Sequence, residues 1–257
     1  MASGLPGKIH LITILIRLWR LGFFLHFAGT LILFYPVFLV LFSHPKLYGT
    51  SLRAQRLWAS WLLFWAGIRI RPTFEEDISN KGPFIWCPNH TSALDILEMY
   101  AVVPSYFHFV AKKEHAQTPF FGIMFSKTHI PINRNSMTDA FKGMQRAMND
   151  LKKGTDIVLF PEGTMNFKRN TFLPFKTGVF KLACESDCPV LPVYMPDNLV
   201  RLPYTYKVLY PGGGPGQVRV IVGKPLYPAD FGNNPDALKD AVAEFMNQQA
   251  LKFKRGL

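Results

Sequence analysis

The chain has 257 residues, enough for one large domain or one domain with an accessory segment, and its 49% hydrophobic content exceeds that of a typical soluble domain. Three cysteines without a C-x-x-C pair exclude a disulfide framework, so we expect a reducing compartment. The formal net charge of +12 would suit a nucleic acid, but no nucleic-acid-binding motif is present and the charge accompanies an apolar run.

The excess positive charge lies mainly in the first part of the chain. No aspartate or glutamate precedes Glu75. Positive charge beside apolar sequence favours an anionic, cytoplasmic-facing membrane surface. The eight basic residues of this segment are Lys8, Arg17, Arg20, Lys46, Arg53, Arg56, Arg69 and Arg71.

Residues 9–42 are almost wholly apolar. As one helix they would measure about 50 Å, which exceeds a bilayer core of about 30 Å. We therefore predict either one tilted or kinked membrane-spanning helix or a hairpin broken near Pro36. The run is too long for a cleaved signal peptide. A buried core helix is the remaining alternative.

Residues 50–67 are predicted to form a second helix, closed by Gly67. A basic helix with three tryptophans is typical of an interfacial helix, and a core-facing helix is the alternative. Arg53 and Arg56 lie on a separate, polar face. The apolar face is predicted to contain Ala54, Leu57, Trp58, Trp61, Leu62 and Trp65.

Beyond Pro72 the composition changes to that of a mixed α/β domain. Strands alternating with helices predict a mostly parallel mixed sheet flanked by helices. We therefore divide the chain into membrane-anchoring and interfacial helices at 1–69 and a catalytic domain at 70–257. The predicted strands are 68–73, 84–87, 107–111, 130–132, 156–160, 190–194, 204–209 and 217–222, and the predicted helices are 93–103, 118–125, 137–152, 177–184 and 237–254.

A histidine follows the apolar strand at 84–88, and an aspartate lies five positions further on. Ser92 can cap the next helix, and Asp95 then falls in the first helical turn. Residues five apart on a helix point about 140° apart, so the two side chains meet only if His90 lies in the preceding loop. Such a pair suits a general base with its orienting carboxylate. A capping box, Ser92-x-x-Asp95, needs no chemistry and is the alternative.

Two further strands end in polar residues. The apolar run 157–160 leads into Glu162, and the strand at 130–132 leads into Arg134. Open α/β sheets place ligand groups at the carboxyl ends of their strands, so both side chains are expected on the same rim as His90. An arginine there can bind a phosphate or carboxylate. Taken alone, Glu162 also fits a turn or salt-bridge residue.

Histidine, aspartate, arginine and glutamate on one rim suit acyl transfer from a thioester to a hydroxyl, because a histidine can take the hydroxyl proton. The chain has no G-x-S-x-G elbow, the motif that would indicate a serine hydrolase. The chain also lacks a metal-ligand spacing such as H-E-x-x-H, so the sequence does not indicate a metal site.

These stretches resemble the glycerolipid acyltransferase family, which includes 1-acyl-glycerol-3-phosphate acyltransferases. That family is marked by N-H-x-x-x-x-D, a strand ending in arginine, F-P-E-G-T and an apolar V-x-P stretch. The matching segments occur here in the same order at 89–95, 130–134, 160–164 and 190–193. The similarity covers roughly residues 70–225, and the Pro174-Phe175-Lys176-x-Gly178 stretch between the motifs is also similar.

The resemblance implies a role for each matching residue. His90 would be the general base, Asp95 would hold its imidazole, and Lys112 and backbone amides would stabilise the oxyanion. No covalent intermediate, bound cofactor or metal is implied. The co-substrate would be acyl-CoA or an acyl-acyl carrier protein.

The acceptor site is also implied by the resemblance. Arg134 would bind the acceptor's phosphate, and Glu162, Gly163 and Thr164 would position its glycerol. The family often continues F-P-E-G-T with Arg-Ser, where this chain has Met165-Asn166. A phosphate contact is lost there unless Lys168 or Arg169 replaces it.

The resulting hypothesis is a membrane-bound enzyme that converts lysophosphatidic acid into phosphatidic acid, with its active site facing the cytoplasm (at the inner membrane if bacterial). The expected partners are anionic membrane lipids, lysophosphatidic acid and an acyl thioester, including one on acyl carrier protein. An acyltransferase for a lyso-aminolipid or another lysophospholipid is the first alternative. A non-catalytic lipid-binding protein is the second.

Overall fold

The computed structural model describes residues 6–79, 81–118, 122–133, 135–205 and 207–254. Short 3₁₀ helices occupy Pro45–Leu47, Lys113–Gln117 and Pro228–Phe231. The α-helices are α1 (Pro6–Leu41), α2 (Tyr48–Trp65), α3 (Leu94–Val102), α4 (Gly122–Thr128), α5 (Met137–Lys152), α6 (Gly178–Ser186), α7 (Asn198–Arg201) and α8 (Pro235–Lys254). The strands are β1 (Ile68–Phe74), β2 (Ile85–Pro88), β3 (Phe107–Lys112), β4 (Ile130–Ile132), β5 (Asp156–Val158), β6 (Val190–Tyr194) and β7 (Gly216–Val222).

The strands form one sheet in the order β1-β7-β6-β2-β5-β3-β4. In the part of the chain that the structure describes, neighbouring strands of this sheet pair in parallel except β6 with β7. The predicted mostly parallel mixed sheet is therefore confirmed. Because β2 lies between β5 and β6 and runs parallel to both, the residues that follow these three strands emerge at one edge.

Successive side chains of the central strands point to opposite faces of the sheet and so build two core layers. Trp86 and Val158 pack into the layer that also contains buried residues of α1, α2 and α3. Ile85 and Ile157 pack into the other layer, under α5, α6 and α8. The helices are thus divided between the two faces, and α1 and α2 lie on a single face.

Helix α1 is continuous through Pro36, so the predicted hairpin is wrong. Residues on both sides of the proline pack against α2. The Phe38 ring centroid lies 5.7 Å from that of Trp58, and Trp58 Nε1 donates to Thr30 Oγ1 at 3.0 Å. This packing offsets the one hydrogen bond that proline removes. By length and composition, His10–Leu41 is long and apolar enough to cross a membrane. Only 17% of an apolar 18-residue stretch of this helix is buried.

The predicted apolar residues of helix α2 are divided between a side that packs on the protein and a side that stays exposed. Trp58 and Leu62 point into the core, but Leu57, Trp61 and Trp65 of the predicted face are exposed. The helix is apolar around most of its circumference, and its contact with α3 decides which side is covered. A second apolar face therefore remains uncovered. The buried residues of α2 are Ser51, Leu52, Gln55, Trp58, Ala59, Leu62 and Leu63.

Residues 204–205 and 207–209, which we predicted to belong to a strand, form part of a loop held by a charge on α1. The guanidinium of Arg20 is fully buried. It donates to the carbonyl oxygens of Pro203, Val208 and Gly212 at 3.2–3.3 Å. Carbonyls that bind an arginine on another element are not available to a sheet, which is why this strand prediction is wrong.

Replacing Arg20 with leucine should loosen the loop at 203–212. Removing a charged donor from three carbonyls should cost about 1–3 kcal/mol, and a chain of this size loses about 2–4 °C of Tm per kcal/mol. We expect a Tm several degrees lower in detergent and faster amide hydrogen exchange in the loop. Arg17→Leu, at an exposed position on the same helix, is the control; equal behaviour of the two variants would contradict this role for Arg20.

Candidate active site

The turn after β2 is attached to the end of β6 by an asparagine. Asn89 Nδ2 donates to the carbonyl oxygen of Met195 at 3.2 Å, and the Met195 N–H donates to Asn89 Oδ1 at 2.7 Å. This double contact ends β2 at a defined point. His90 therefore leaves the sheet at its carboxyl edge, in the loop before α3, as the predicted pairing with Asp95 requires.

The imidazole of His90 contacts a buried carboxylate. His90 Nδ1 lies 2.7 Å from Asp95 Oδ2, and the aspartate side chain is fully buried. The same oxygen accepts the backbone N–H groups of Thr91 and Ser92 at 2.6 and 2.9 Å. Asp95 thus binds the N–H groups before α3 and the imidazole at once, so the capping contact and the predicted pairing with His90 coexist.

The environment of Asp95 assigns the proton on the imidazole. An ionised carboxylate only accepts hydrogen bonds, so Nδ1 of His90 must carry the hydrogen that it shares with Asp95. Nε2 is then unprotonated in the neutral ring and can accept a proton. The side chain of His90 is 14% exposed, enough to meet a ligand.

The F-P-E-G-T stretch forms a cradle around His90. Glu162 Oε1 accepts the His90 N–H at 3.1 Å, and the Asn166 N–H donates to the His90 carbonyl at 2.7 Å. Glu162 Oε2 accepts the Leu173 N–H at 2.8 Å. The Phe160 ring stacks on the imidazole with centroids 4.0 Å apart. Backbone and ring of the histidine are therefore both fixed by this stretch.

An apolar cavity of about 330 Å³ opens beside His90. Its walls come from α1, α2, α3 and β3, and Phe27, Trp58 and Leu97 are among its lining residues. Lys112 also lines it, and Lys112 Nζ lies 3.1 Å from Glu114 Oε1. The shape and lining suit a hydrocarbon chain whose reactive end lies at the histidine.

A second cavity of about 640 Å³ shares Val110, Ala111 and Phe160 with the first. Its lining also includes Glu162, Gly163, Thr164 and Lys176. The two cavities thus adjoin at Phe160, the residue that stacks on His90. Together they provide an apolar and a more polar compartment next to His90.

The structure brings together six of the seven predicted site residues. His90 and Asp95 are in direct contact, and Lys112 shares the apolar cavity with His90. The remaining three, Glu162, Gly163 and Thr164, line the second cavity. Arg134 lies outside the residues that the structure describes.

Two neighbours of Asp95 were missed at the sequence level. Asn198 Nδ2 donates to Asp95 Oδ1 at 2.8 Å and to Glu98 Oε2 at 2.9 Å. Glu98 lies three residues after Asp95 on α3, a spacing that could have indicated the contact. Asn198 is 103 residues from Asp95, and no local pattern marks it.

Burial raises the pKa of Glu98 well above its usual value, and the nearby Asp95 and Asp197 raise it further. The raised pKa of Glu98 disfavours a second negative charge beside Asp95. Burial also raises the pKa of Glu162, against the opposing effect of the N–H groups of Leu173 and His90.

Residues 69–196 match a family model described as acyltransferase. The chain is 31% identical to a chloroplastic 1-acyl-sn-glycerol-3-phosphate acyltransferase of Brassica napus, over 71% of this chain and 54% of the relative. The enzyme of that name from Saccharomyces cerevisiae is 28% identical over 70% of this chain and 56% of the relative. The one from Bacillus subtilis is 25% identical, with 71% and 87% covered. The chain spans about half the length of the first two.

The fold is also similar to a solved one. The crystal structure of a 1-acyl-sn-glycerophosphate acyltransferase from Thermotoga maritima superposes with a TM-score of 0.73. The alignment covers 96% of this chain and 98% of that one, at 22% identity. This likeness confirms the predicted fold class, including the long N-terminal helix that precedes the sheet.

Replacing Glu98 with glutamine should make stability less dependent on pH. A carboxyl whose pKa is raised by folding keeps its proton after the unfolded chain has released it, so the free energy of unfolding falls as the pH rises above about 4.3. Glutamine has no such proton. We expect the Tm of E98Q, relative to the parent, to rise steadily from pH 5 to pH 8.

The exposed Glu244 on α8 provides the control, because E244Q should track the parent at every pH. A Tm difference between E98Q and the parent that is constant across this range would show that Glu98 ionises normally in the folded protein.

Proposed function

We propose that the chain is a glycerolipid acyltransferase, which transfers a fatty acyl group from an acyl thioester to the 2-hydroxyl of lysophosphatidic acid and gives phosphatidic acid; the acyltransferase family match and the similar relatives support this. The observation that carries the proposal is the 2.7 Å contact between His90 Nδ1 and Asp95 Oδ2 at the apolar cavity. The names of the relatives support the choice of acceptor.

In the proposed reaction His90 Nε2 takes the proton of the acceptor hydroxyl as its oxygen attacks the thioester carbonyl carbon. The carboxylate of Asp95 stabilises the imidazolium that forms. The tetrahedral intermediate then expels the thiolate, which takes the proton from His90. The products are an ester and a free thiol, and no residue is acylated.

We assign roles in binding the two substrates and the oxyanion to the other predicted site residues. Lys112 lines the apolar cavity beside His90 and would stabilise the oxyanion. Gly163 and Thr164 line the second cavity and would contact the glycerol, with Arg134 assigned to the phosphate. Both carboxylate oxygens of Glu162 accept backbone N–H groups, so Glu162 would position the acceptor through the cradle that it holds.

The apolar cavity would hold the acyl chain of the donor. Its lining is almost entirely hydrocarbon and aromatic, and it reaches His90 at one side. The donor in this proposal is acyl-CoA or an acyl-acyl carrier protein. No bound cofactor is required, since the thioester itself supplies the leaving group.

We propose that α1 and α2 hold this site at a membrane surface, with the active site on the cytoplasmic side. Both helices border the apolar cavity, so an acyl chain or lyso-lipid could pass between bilayer and site. Aromatic residues suit the headgroup region and basic residues suit anionic lipids. The uncovered apolar face of α2 consists of Leu57, Trp61, Phe64 and Trp65.

A second candidate is an acyltransferase for a lyso-lipid with a different headgroup. Met165 stands where the family often has arginine, and it lines the apolar cavity. Asn166 Oδ1 accepts the Lys168 N–H, and Arg169 lines a small separate pocket beside Asn89. Neither basic residue lines the cavities at His90, which favours an acceptor with less need for phosphate binding.

Replacing His90 with alanine should reduce turnover by at least a hundredfold, because a positioned base typically contributes about 10²–10⁴-fold. The measurement is acyl transfer to lysophosphatidic acid by the detergent-solubilised protein, with acyl-CoA and acyl-acyl carrier protein as donors. H10A, at an exposed position on α1, is the control.

Turnover that survives in H90A would rule out His90 as the base. Equal or faster acylation of an acceptor without phosphate would rule out the phosphatidic acid assignment and favour the second candidate.

Replacing Trp61 and Trp65 together with serine should weaken binding to anionic vesicles at least tenfold. The two side chains are 49% and 61% exposed, and burying such rings in a membrane gains roughly 1.5–3 kcal/mol each. Co-sedimentation with vesicles at low and high salt is the measurement. F141S removes an equally exposed ring from α5, on the opposite sheet face, and should bind like the parent; if it binds as weakly as the tryptophan variant, α2 is not the membrane contact.

A further inference from the structure

We propose that Lys176 binds the phosphate of the acceptor in the second cavity. This inference rests on the proposed function and names a residue of the acceptor site. The ligand class is a phosphomonoester at the end of a lyso-lipid. The argument starts from where Lys176 is held.

The backbone of Lys176 is attached to the turn that cradles His90. Its N–H donates to the carbonyl of Pro161 at 2.8 Å, one residue before Glu162. The loop at 173–176 is therefore tied to the cradle twice, since Glu162 Oε2 also accepts the Leu173 N–H. Lys176 cannot leave the cavity edge without breaking a contact that also supports the base.

The side chain of Lys176 passes directly over Gly163. A Cβ atom on Gly163 would lie 3.5 Å from Lys176 Cγ and 3.8 Å from its Cε. Gly163 also has a φ of +70°, a conformation that side chains rarely adopt. Glycine at this position leaves room for the lysine stem, and Lys176 lines the second cavity.

The charge of the second cavity is set by this lysine. Among the described residues that line the cavity, the one acid is Glu162, whose two oxygens already accept backbone N–H groups and whose pKa is raised by burial. The first turn of α6, Gly178 and Val179, lines the same cavity and has no side-chain cap. Its partial positive charge adds to that of the ammonium. A phosphate is the group that such a cavity favours.

The sequence suggested Lys168 and Arg169 as alternative phosphate ligands, but neither residue lines the second cavity. The Asn166 side chain closes a turn by accepting the Lys168 N–H at 2.9 Å and donating to the Thr171 carbonyl at 2.7 Å. The chain then runs behind the His90 loop, where Arg169 lies near Tyr194. It returns to the site only at Leu173, so Lys176 is the next basic residue that reaches the cavity.

The test compares K176M with the parent for three kinetic constants: KM for lysophosphatidic acid, KM for acyl-CoA, and turnover of the matching monoacylglycerol, which lacks the phosphate. A lost charged hydrogen bond should raise KM for lysophosphatidic acid about tenfold to a hundredfold. The other two constants should stay within about twofold. K176R should recover most of the affinity, because the charge is kept.

K168M and R169M are matched controls, since each removes one positive charge from the same loop and should leave all three constants unchanged. An unchanged KM for lysophosphatidic acid in K176M, or a rise in K168M or R169M instead, would overturn this inference while leaving the proposed function intact. A parent that acylates other acceptors but not lysophosphatidic acid would overturn the proposed function, and this inference with it.

Discussion

A buried carboxylate organises the site. Asp95 is fully buried, and its two oxygens meet the imidazole of His90, two backbone N–H groups and the amide of Asn198. A buried charge with fewer partners would cost several kcal/mol, so each of these donors must be in place for the fold to form. The same requirement that stabilises the start of α3 therefore also aims the histidine. Asp95 shares the positioning of His90 with Glu162, Asn166 and Phe160.

The buried Asp95 disfavours a second negative charge nearby, and this affects Glu98. Glu98 lies beside the same amide, and its raised pKa keeps a second charge away from the pair. Glu162, on the other side of His90, is also a buried carboxyl, and its two oxygens accept backbone N–H groups. Glu98 and Glu162 are thus both engaged by groups of the protein itself. In our proposal Lys176 supplies positive charge to the second cavity, which an anionic acceptor requires.

The division of the helices between the two sheet faces links the site to its surroundings. Helices α1 and α2 cover the face that contains the apolar cavity, and they keep an uncovered apolar surface of their own. Arg20 joins α1 to the loop that follows α7, so the long helix is packed onto the rest of the protein. A lyso-lipid that enters from a membrane would then meet His90 before it meets bulk water. The boundary drawn at residue 69 remains a prediction, and β1 begins one residue before it.

The sequence by itself predicted the mostly parallel sheet, the carboxyl-edge position of His90, Asp95 and Glu162, and the resemblance to acyltransferases. Each of these follows from short-range patterns: apolar runs that end in polar turns, and motifs within eight residues. Tertiary structure decided which face of α2 is buried, that α1 passes Pro36 unbroken, and that residues near 204–209 bind Arg20 instead of forming a strand. It alone placed Asn198 against Asp95, 103 residues away, and laid Lys176 over Gly163. The physical reason is that these contacts join segments distant in the chain, and a local pattern does not record which buried donor will meet which acceptor once the layers have packed.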